Sequence, residues 1–103
     1  MKCGAGNFFG NKGGVGIGFE VGNTRLGFVS THFAAHYDKA DARNENFHRI
    51  NGEMKLRQTS SNKMLSEQFD HLFWMGDLNY RVFGNRNIIN HCLENKYYGK
   101  FFI

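Results

Sequence analysis

The run Leu72-Phe73-Trp74-Met75, followed at once by Gly76-Asp77-Leu78-Asn79-Tyr80-Arg81, constrains this chain more than any other part of it. Consecutive large apolar residues suit a strand covered on both faces, and Gly76 permits close backbone approach. Asp77, Asn79, Tyr80 and Arg81 then crowd together directly after it. A buried strand that runs out into a polar cleft is therefore expected here. Asp supplies a base or a metal ligand, Asn and Tyr supply hydrogen bonds, and Arg clamps anions. The competing reading is a plain turn, which Gly-Asp and Asn also form.

Upstream, Val15, Ile17, Phe19 and Val21 alternate with Gly16, Gly18 and Glu20, the period of a strand with one apolar face. Glu20 falls on its polar side and reads as exposed. Gly22-Asn23 predicts a turn into a second strand that runs through Leu26, Phe28 and Val29 to His32 and Phe33. From Asp38 to about Thr59, Phe47, Ile50 and Met54 recur at helical spacing, with Asp38 or Asp41 available as a cap. A break at Ser60-Ser61-Asn62, a short helical turn over 64–69, the strand at 72–75 and an amphipathic helix around Ile88, Ile89, Cys92 and Leu93 complete the chain. The order strand, strand, helix, strand, helix belongs to a mixed α/β or α+β layered fold. With so few strands, unpaired sheet edges remain, and more sheet from elsewhere is the expected remedy.

The 103 residues make one small domain or a piece of a larger one. At 41% hydrophobic, with 11 Phe, the chain carries enough apolar material for a core and is not a disordered tail. A net charge of +4 favours anionic partners such as phosphates, nucleic acid or an acidic membrane surface. Cys3 and Cys92 suit neither a disulfide framework nor zinc, so a reducing compartment is expected. Neither a membrane-spanning run nor the apolar core of a signal peptide is found, so any membrane contact would be peripheral.

Three further segments carry possible chemistry. Gly4, Gly6 and Gly10 precede Asn11-Lys12-Gly13-Gly14, a Gly-rich loop that either approaches a phosphate with its backbone and Lys12 or is only a flexible turn. It is not a P-loop, because a strand rather than a helix follows. His32 in Ser30-Thr31-His32-Phe33-Ala34-Ala35-His36 ends the second strand as Asp77 ends the third, so both could share one cleft, while His36 is peripheral. Arg43 and Asn44, read from the residues alone, belong to a solvated helix face.

Taken together, Gly10-Asn11-Lys12-Gly13-Gly14-Val15, Ser30-Thr31-His32-Phe33-Ala34-Ala35-His36, Arg43-Asn44 and Phe73-Trp74-Met75-Gly76-Asp77-Leu78-Asn79-Tyr80-Arg81 resemble the catalytic domain of the inositol polyphosphate 5-phosphatases in order and spacing. The wider endonuclease, exonuclease and phosphatase group shares Gly-Asp-x-Asn. The trailing Tyr80-Arg81 and the Gly-Asn-Lys-Gly-Gly opening point to the phosphoinositide branch. The resemblance implies an α/β (α+β) sandwich of that type, of which residues 1–103 are the central portion. It also implies Mg²⁺-dependent hydrolysis of the 5-phosphate from phosphoinositide lipids or soluble inositol phosphates. On this reading Asp77, Asn79 and His32 are catalytic; Asn11, Lys12, Tyr80 and Arg81 bind substrate; Arg43 and Asn44 support the site from the helix. A cytoplasmic protein, possible at the cytosolic face of a membrane, follows from the same resemblance.

The departures carry equal weight. In the family a metal-binding Glu precedes the Gly-Asn-Lys segment, and a Pro-x-Trp-Cys-Asp-Arg motif and an Asp-His pair follow the Asp-Leu-Asn-Tyr-Arg segment. This chain has no Pro, and its one Trp is Trp74. The expectation is thus a partial catalytic domain with little or no phosphatase activity alone. Two other functions fit the residues: a non-catalytic phosphoinositide-binding remnant, and a Mg²⁺-dependent nuclease of the same superfamily.

Overall fold

The computed structural model describes Met1, residues 12–58 and residues 62–101. The glycine-rich loop up to Asn11, with Cys3, and Ser60 and Ser61 of the expected break lie outside them. The elements run β1 (Gly13–Val21), β2 (Thr24–His32), α1 (Ala40–Glu53), a 3-10 turn (Leu65–Glu67), β3 (His71–Asp77), α2 (Arg86–Glu94) and a second 3-10 turn (Tyr98–Phe101). The sheet order is β1-β2-β3. β1 and β2 form the expected hairpin, antiparallel, closing at Val21 and Thr24 around Gly22 at φ 59°. β3 joins the other side of β2 in parallel, from Leu26 opposite His71 to His32 opposite Asp77.

Val29, Phe33, Ile50, Met54, Leu65 and Phe69 form the buried core, with Phe47, Leu56, Leu72, Trp74 and Leu78 packed against it. Burying each such aliphatic or aromatic side chain contributes about 1.5–3 kcal/mol. The core lies on one face of the sheet only, and there the sequence expectation needs correcting. Alternation in β1 was expected to turn Val15, Ile17, Phe19 and Val21 inward, yet the face that packs is the glycine face. A Cβ on Gly16 would meet Leu56 and Met54 at 2.8 Å, and one on Gly18 would meet the Phe69 ring at 2.5 Å. The glycines let the segments after α1 lie flush on the strand. The apolar face is bare, with Val15 69% and Ile17 62% exposed. β3 likewise is not covered on both faces, because Phe73 and Met75 remain 48% and 43% exposed while Leu72 and Trp74 face the core. Across this open face Phe19, Phe28 and Phe73 stack, with ring centroids 5.7 and 5.0 Å apart. The chain is patterned for a second apolar layer that the described residues do not supply.

α1 also departs from expectation at both ends. Lys39 occupies the cap position without a side-chain cap, so neither Asp38 nor Asp41 caps it. It stops at Glu53 rather than near Thr59, because Met54 turns into extended backbone and buries its side chain. The fully buried Gln68 then replaces the next helical turn, accepting from the Leu56 N–H and donating to the Met54 carbonyl, both at 3.0 Å. α2 forms as expected, capped by the Asn85 side chain, which accepts from the Ile88 N–H at 2.9 Å.

Where β2 and β3 enter the sheet, the Arg25 backbone N–H and side chain both donate to the Asp70 carboxylate, and the Asp70 N–H donates to the Arg25 carbonyl. The hydrogen bonds and charge of Arg25 hold the Asp70 carboxyl well below the usual carboxylate range. A depressed folded-state pKa gives stability that is full above the unfolded value of about 4 and is lost as pH falls through the folded one. In urea unfolding, Asp70→Asn should therefore be less stable than the parent chain near neutrality, and the difference should shrink progressively below about pH 4. In the same assay Gly18→Ala should cost about 1–3 kcal/mol by overpacking against Phe69. Ile17→Thr, one residue away on the bare face, should stay within about 0.5 kcal/mol.

Candidate active site

Parallel pairing brings the C-terminal ends of β2 and β3 to the same edge of the sheet, with His32 opposite Asp77. The antiparallel hairpin returns the start of β1 to that edge, with Gly13 opposite His32. Lys12, His32 and Asp77 therefore meet. Lys12 Nζ lies 2.8 Å from His32 Nε2, and the same Nε2 lies 3.7 Å from Asp77 Oδ2. An ammonium has donors only, so in the Lys12 hydrogen bond Nε2 is the acceptor. At 3.7 Å the carboxylate is a near neighbour rather than a hydrogen-bond partner. Both His32 and Asp77 are open to solvent.

Close approach at the strand end requires Gly76. Its φ is 103°, and a Cβ there would strike the Thr31 carbonyl. After Asp77 the chain hooks back on itself. Asp77 Oδ1 accepts from the Asn79 N–H at 3.1 Å, and Asn79 takes a left-handed φ of 55°, which Asn tolerates better than most residues. Its amide Nδ2 donates to the Phe33 carbonyl at 3.0 Å, and its Oδ1 accepts from Arg81 Nη2 at 3.0 Å. Arg81 Nε closes the hook on the Asn79 carbonyl at 3.0 Å. The Tyr80 hydroxyl donates to Asn44 Oδ1 at 2.7 Å, which ties the hook to α1.

Of the residues expected from sequence, Lys12, His32, Asp77, Asn79, Tyr80 and Arg81 are thus gathered at one edge, Asn44 reaches them through Tyr80, and Asn11 lies outside the described residues. Arg43 corrects the solvated-face reading: it is 1% exposed. His36 is peripheral as a side chain, yet its carbonyl accepts from Arg43 at 2.6 Å. Asn46 went unnoticed in the sequence. Its Oδ1 accepts from the Ala34 N–H at 3.0 Å and so fixes the turn after His32. Its helical spacing to Arg43 and Ile50 is the signal that would have found it.

Among the described residues no cluster of three His, Cys, Asp or Glu could hold a metal ion. Asp77 is the only carboxylate within the hook, and its Oδ1 is already engaged by Asn79. Mg²⁺ takes several oxygen ligands including one or two carboxylates, so these residues alone do not fit a Mg²⁺ site. What the arrangement does offer is a cationic, hydrogen-bonding edge, with Lys12 and Arg81 as donors to an anion and Asp77 as acceptor for a proton. Among the described residues Asn79 uses only one of its amide N–H groups. Asn79→Ala should cost about 1–2 kcal/mol in thermal or urea unfolding, by leaving the Phe33 carbonyl without its partner.

Residues 1–102 match the family model described as Endonuclease/Exonuclease/phosphatase family 2. The chain is 43% identical over 83 residues to phosphatidylinositol 3,4,5-trisphosphate 5-phosphatase 2B of Danio rerio, across 80% of this chain and 7% of that protein. It is 41% identical over 87 residues to phosphatidylinositol 3,4,5-trisphosphate 5-phosphatase 1 of Homo sapiens, with the same coverage of each. It is also similar to the solved inositol polyphosphate 5-phosphatase domain of a synaptojanin in complex with inositol (1,4)-bisphosphate and calcium, at 29% identity and a TM-score of 0.71, across 90% of this chain and 26% of that one. The chain thus spans a small part of the length of the relatives that it matches.

Proposed function

The chain belongs to endonuclease/exonuclease/phosphatase family 2, on its inositol polyphosphate 5-phosphatase branch, and from that premise we propose that it forms the central part of a catalytic domain that removes the 5-phosphate from phosphoinositide lipids or soluble inositol phosphates. The observation that carries this reading is the meeting of Lys12, His32 and Asp77 at one strand edge, with Nε2 of His32 2.8 Å from Lys12 and 3.7 Å from Asp77.

In the reaction, water attacks phosphorus, the bond from phosphorus to the inositol oxygen breaks, and the leaving oxygen takes up a proton from solvent. Asp77 accepts the proton of the attacking water or orients it. An arriving phosphate engages Lys12, and His32 beside it hydrogen-bonds the phosphate oxygens as charge develops. The other amide N–H of Asn79 serves the same task, and Arg81 meets the ring phosphates. Mg²⁺ is the cofactor proposed for the whole domain, with most of its ligands supplied from outside this chain.

The bare sheet face supports reading the chain as a partial domain. By strand alternation His32 and Asp77 belong to the same face as Phe28, Phe73 and Met75. A layer that covers those aromatics would also close over the catalytic edge and bring further groups to it. Until that happens, a single carboxylate and an open edge favour binding without turnover, so the isolated chain acts as an inositol-phosphate-binding remnant. The relatives favour this phosphomonoester reading over the nuclease one. No helix among the described residues is long and apolar enough to cross a membrane, and peripheral contact with an anionic cytosolic surface is the mode proposed for reaching lipid substrates.

Titration of the chain with inositol 1,4-bisphosphate, followed by amide NMR, should move the signals of His32 and of residues 77–81. Lys12→Ala and Arg81→Ala should each weaken binding on the order of tenfold, the size of one charge-assisted contact. Binding indifferent to both substitutions would contradict the proposal. In a protein containing the whole domain, Asp77→Ala should lower phosphate release by about 10²-fold or more.

A further inference from the structure

Among the described residues Arg43 is the largest fully buried side chain, and its Nε is a buried nitrogen without a hydrogen-bond partner there. Among the described residues no carboxylate lies within ion-pair distance of it. A guanidinium buried without a counter-ion costs stability that its contacts must offset. Its hydrogen bonds and cation–π contact reach the two segments that make the site. Nη1 donates to the Ala34 carbonyl at 3.2 Å and to the His36 carbonyl at 2.6 Å. The guanidinium carbon lies 5.5 Å from the centre of the Tyr80 ring, in cation–π range. His36 is held at a φ of 78°, unusual for a residue with a side chain.

We infer that Arg43 is a positioning residue for the candidate site: one buried guanidinium clasps the 34–36 turn by its carbonyls and sits over the Tyr80 ring, so that the end of β2 and the Asp77–Arg81 hook keep a fixed relation. The inference rests on the reading of those two segments as the site. α1 supports the clasp with two neighbours of Arg43. Asn44 holds the Tyr80 hydroxyl, and Asn46 holds the Ala34 N–H. The planar fork suits this task better than an ammonium, because it meets carbonyls in its plane while offering a flat face to an aromatic ring. A second consequence is electrostatic. With no carboxylate beside it, the buried charge lends positive potential to the floor of the edge where Lys12 and Arg81 await an anion.

The test uses the full chain and inorganic phosphate as the probe, with three variants: Tyr80→Leu, which removes the ring at an exposed position, Tyr80→Phe, which keeps it, and Arg43→Lys. In ¹⁵N NMR, Tyr80→Leu should move the Arg43 Nε–H signal and the amides of Ala34, Ala35 and His36, while Tyr80→Phe leaves the Arg43 signal in place. Phosphate affinity should fall on the order of tenfold in Tyr80→Leu and in Arg43→Lys. The double variant should lose no more than the weaker-binding single one, the signature of two groups acting as a unit. Unmoved Arg43 and 34–36 signals in Tyr80→Leu, or additive losses of affinity, would overturn the clasp. Should Arg43→Lys fail to fold, the two Tyr80 variants still decide through the amide signals. A parent chain that ignores phosphate would sink the reading of the site instead, and the coupling between the Tyr80 ring and Arg43 would be read independently of it.

Discussion

The parallel register between β2 and β3 is the constraint on which the rest of this structure depends. It sets His32 opposite Asp77 at the strand ends, and the hairpin then brings Lys12 to the same place. A slip by one residue would carry one of the pair to the other face of the sheet and dissolve the site. Two features pin that register from opposite ends. Arg25 and Asp70 exchange backbone and side-chain hydrogen bonds where the strands enter. At the exit, Gly76 allows an approach to the Thr31 carbonyl that any side chain would obstruct. Beyond the last paired residues, the Phe33 N–H donates to the Asp77 carbonyl at 3.0 Å and Asn79 returns a bond to the Phe33 carbonyl, so the ladder passes into the hook without a break.

Much of this was legible in the residues. The strands, the Gly22-Asn23 turn and the meeting of the two strand ends follow from period-two alternation and from polar residues placed directly after apolar runs. The side of the sheet that packs was not legible in the same way. Alternation tells which residues share a face, but not which face finds a partner within a given stretch of chain. Here the glycine face of β1 packs against Leu56, Met54 and Phe69, while the apolar face stays open among the described residues. The burial of Arg43 was missed for a related reason. Charge suggests solvent, yet Arg43 shares helical spacing with Phe47, Ile50 and Met54, and position on the helix prevailed over residue type because backbone carbonyls and an aromatic ring were there to receive the cation.

The fold of the endonuclease, exonuclease and phosphatase type explains why site and bare face belong together. His32 and Asp77 stand at the rim of the face that Phe19, Phe28 and Phe73 leave open. Apolar burial across that face and completion of the polar edge are therefore coupled, and the described residues achieve neither. α1 has a different part. It covers the packed face, and through Arg43, Asn44 and Asn46 it also reaches round to the turn and hook that frame the edge.

On the proposed reading this chain holds an organised but incomplete phosphate site. The most direct measurement is phosphate release from a soluble inositol phosphate carrying a 5-phosphate, in the presence of Mg²⁺, by the isolated chain. No release above the protein-free blank is expected. Release that depends on Mg²⁺ and disappears in Asp77→Ala would contradict that reading, because it would mean that the strand-end edge is sufficient for turnover without the groups a covering layer would bring.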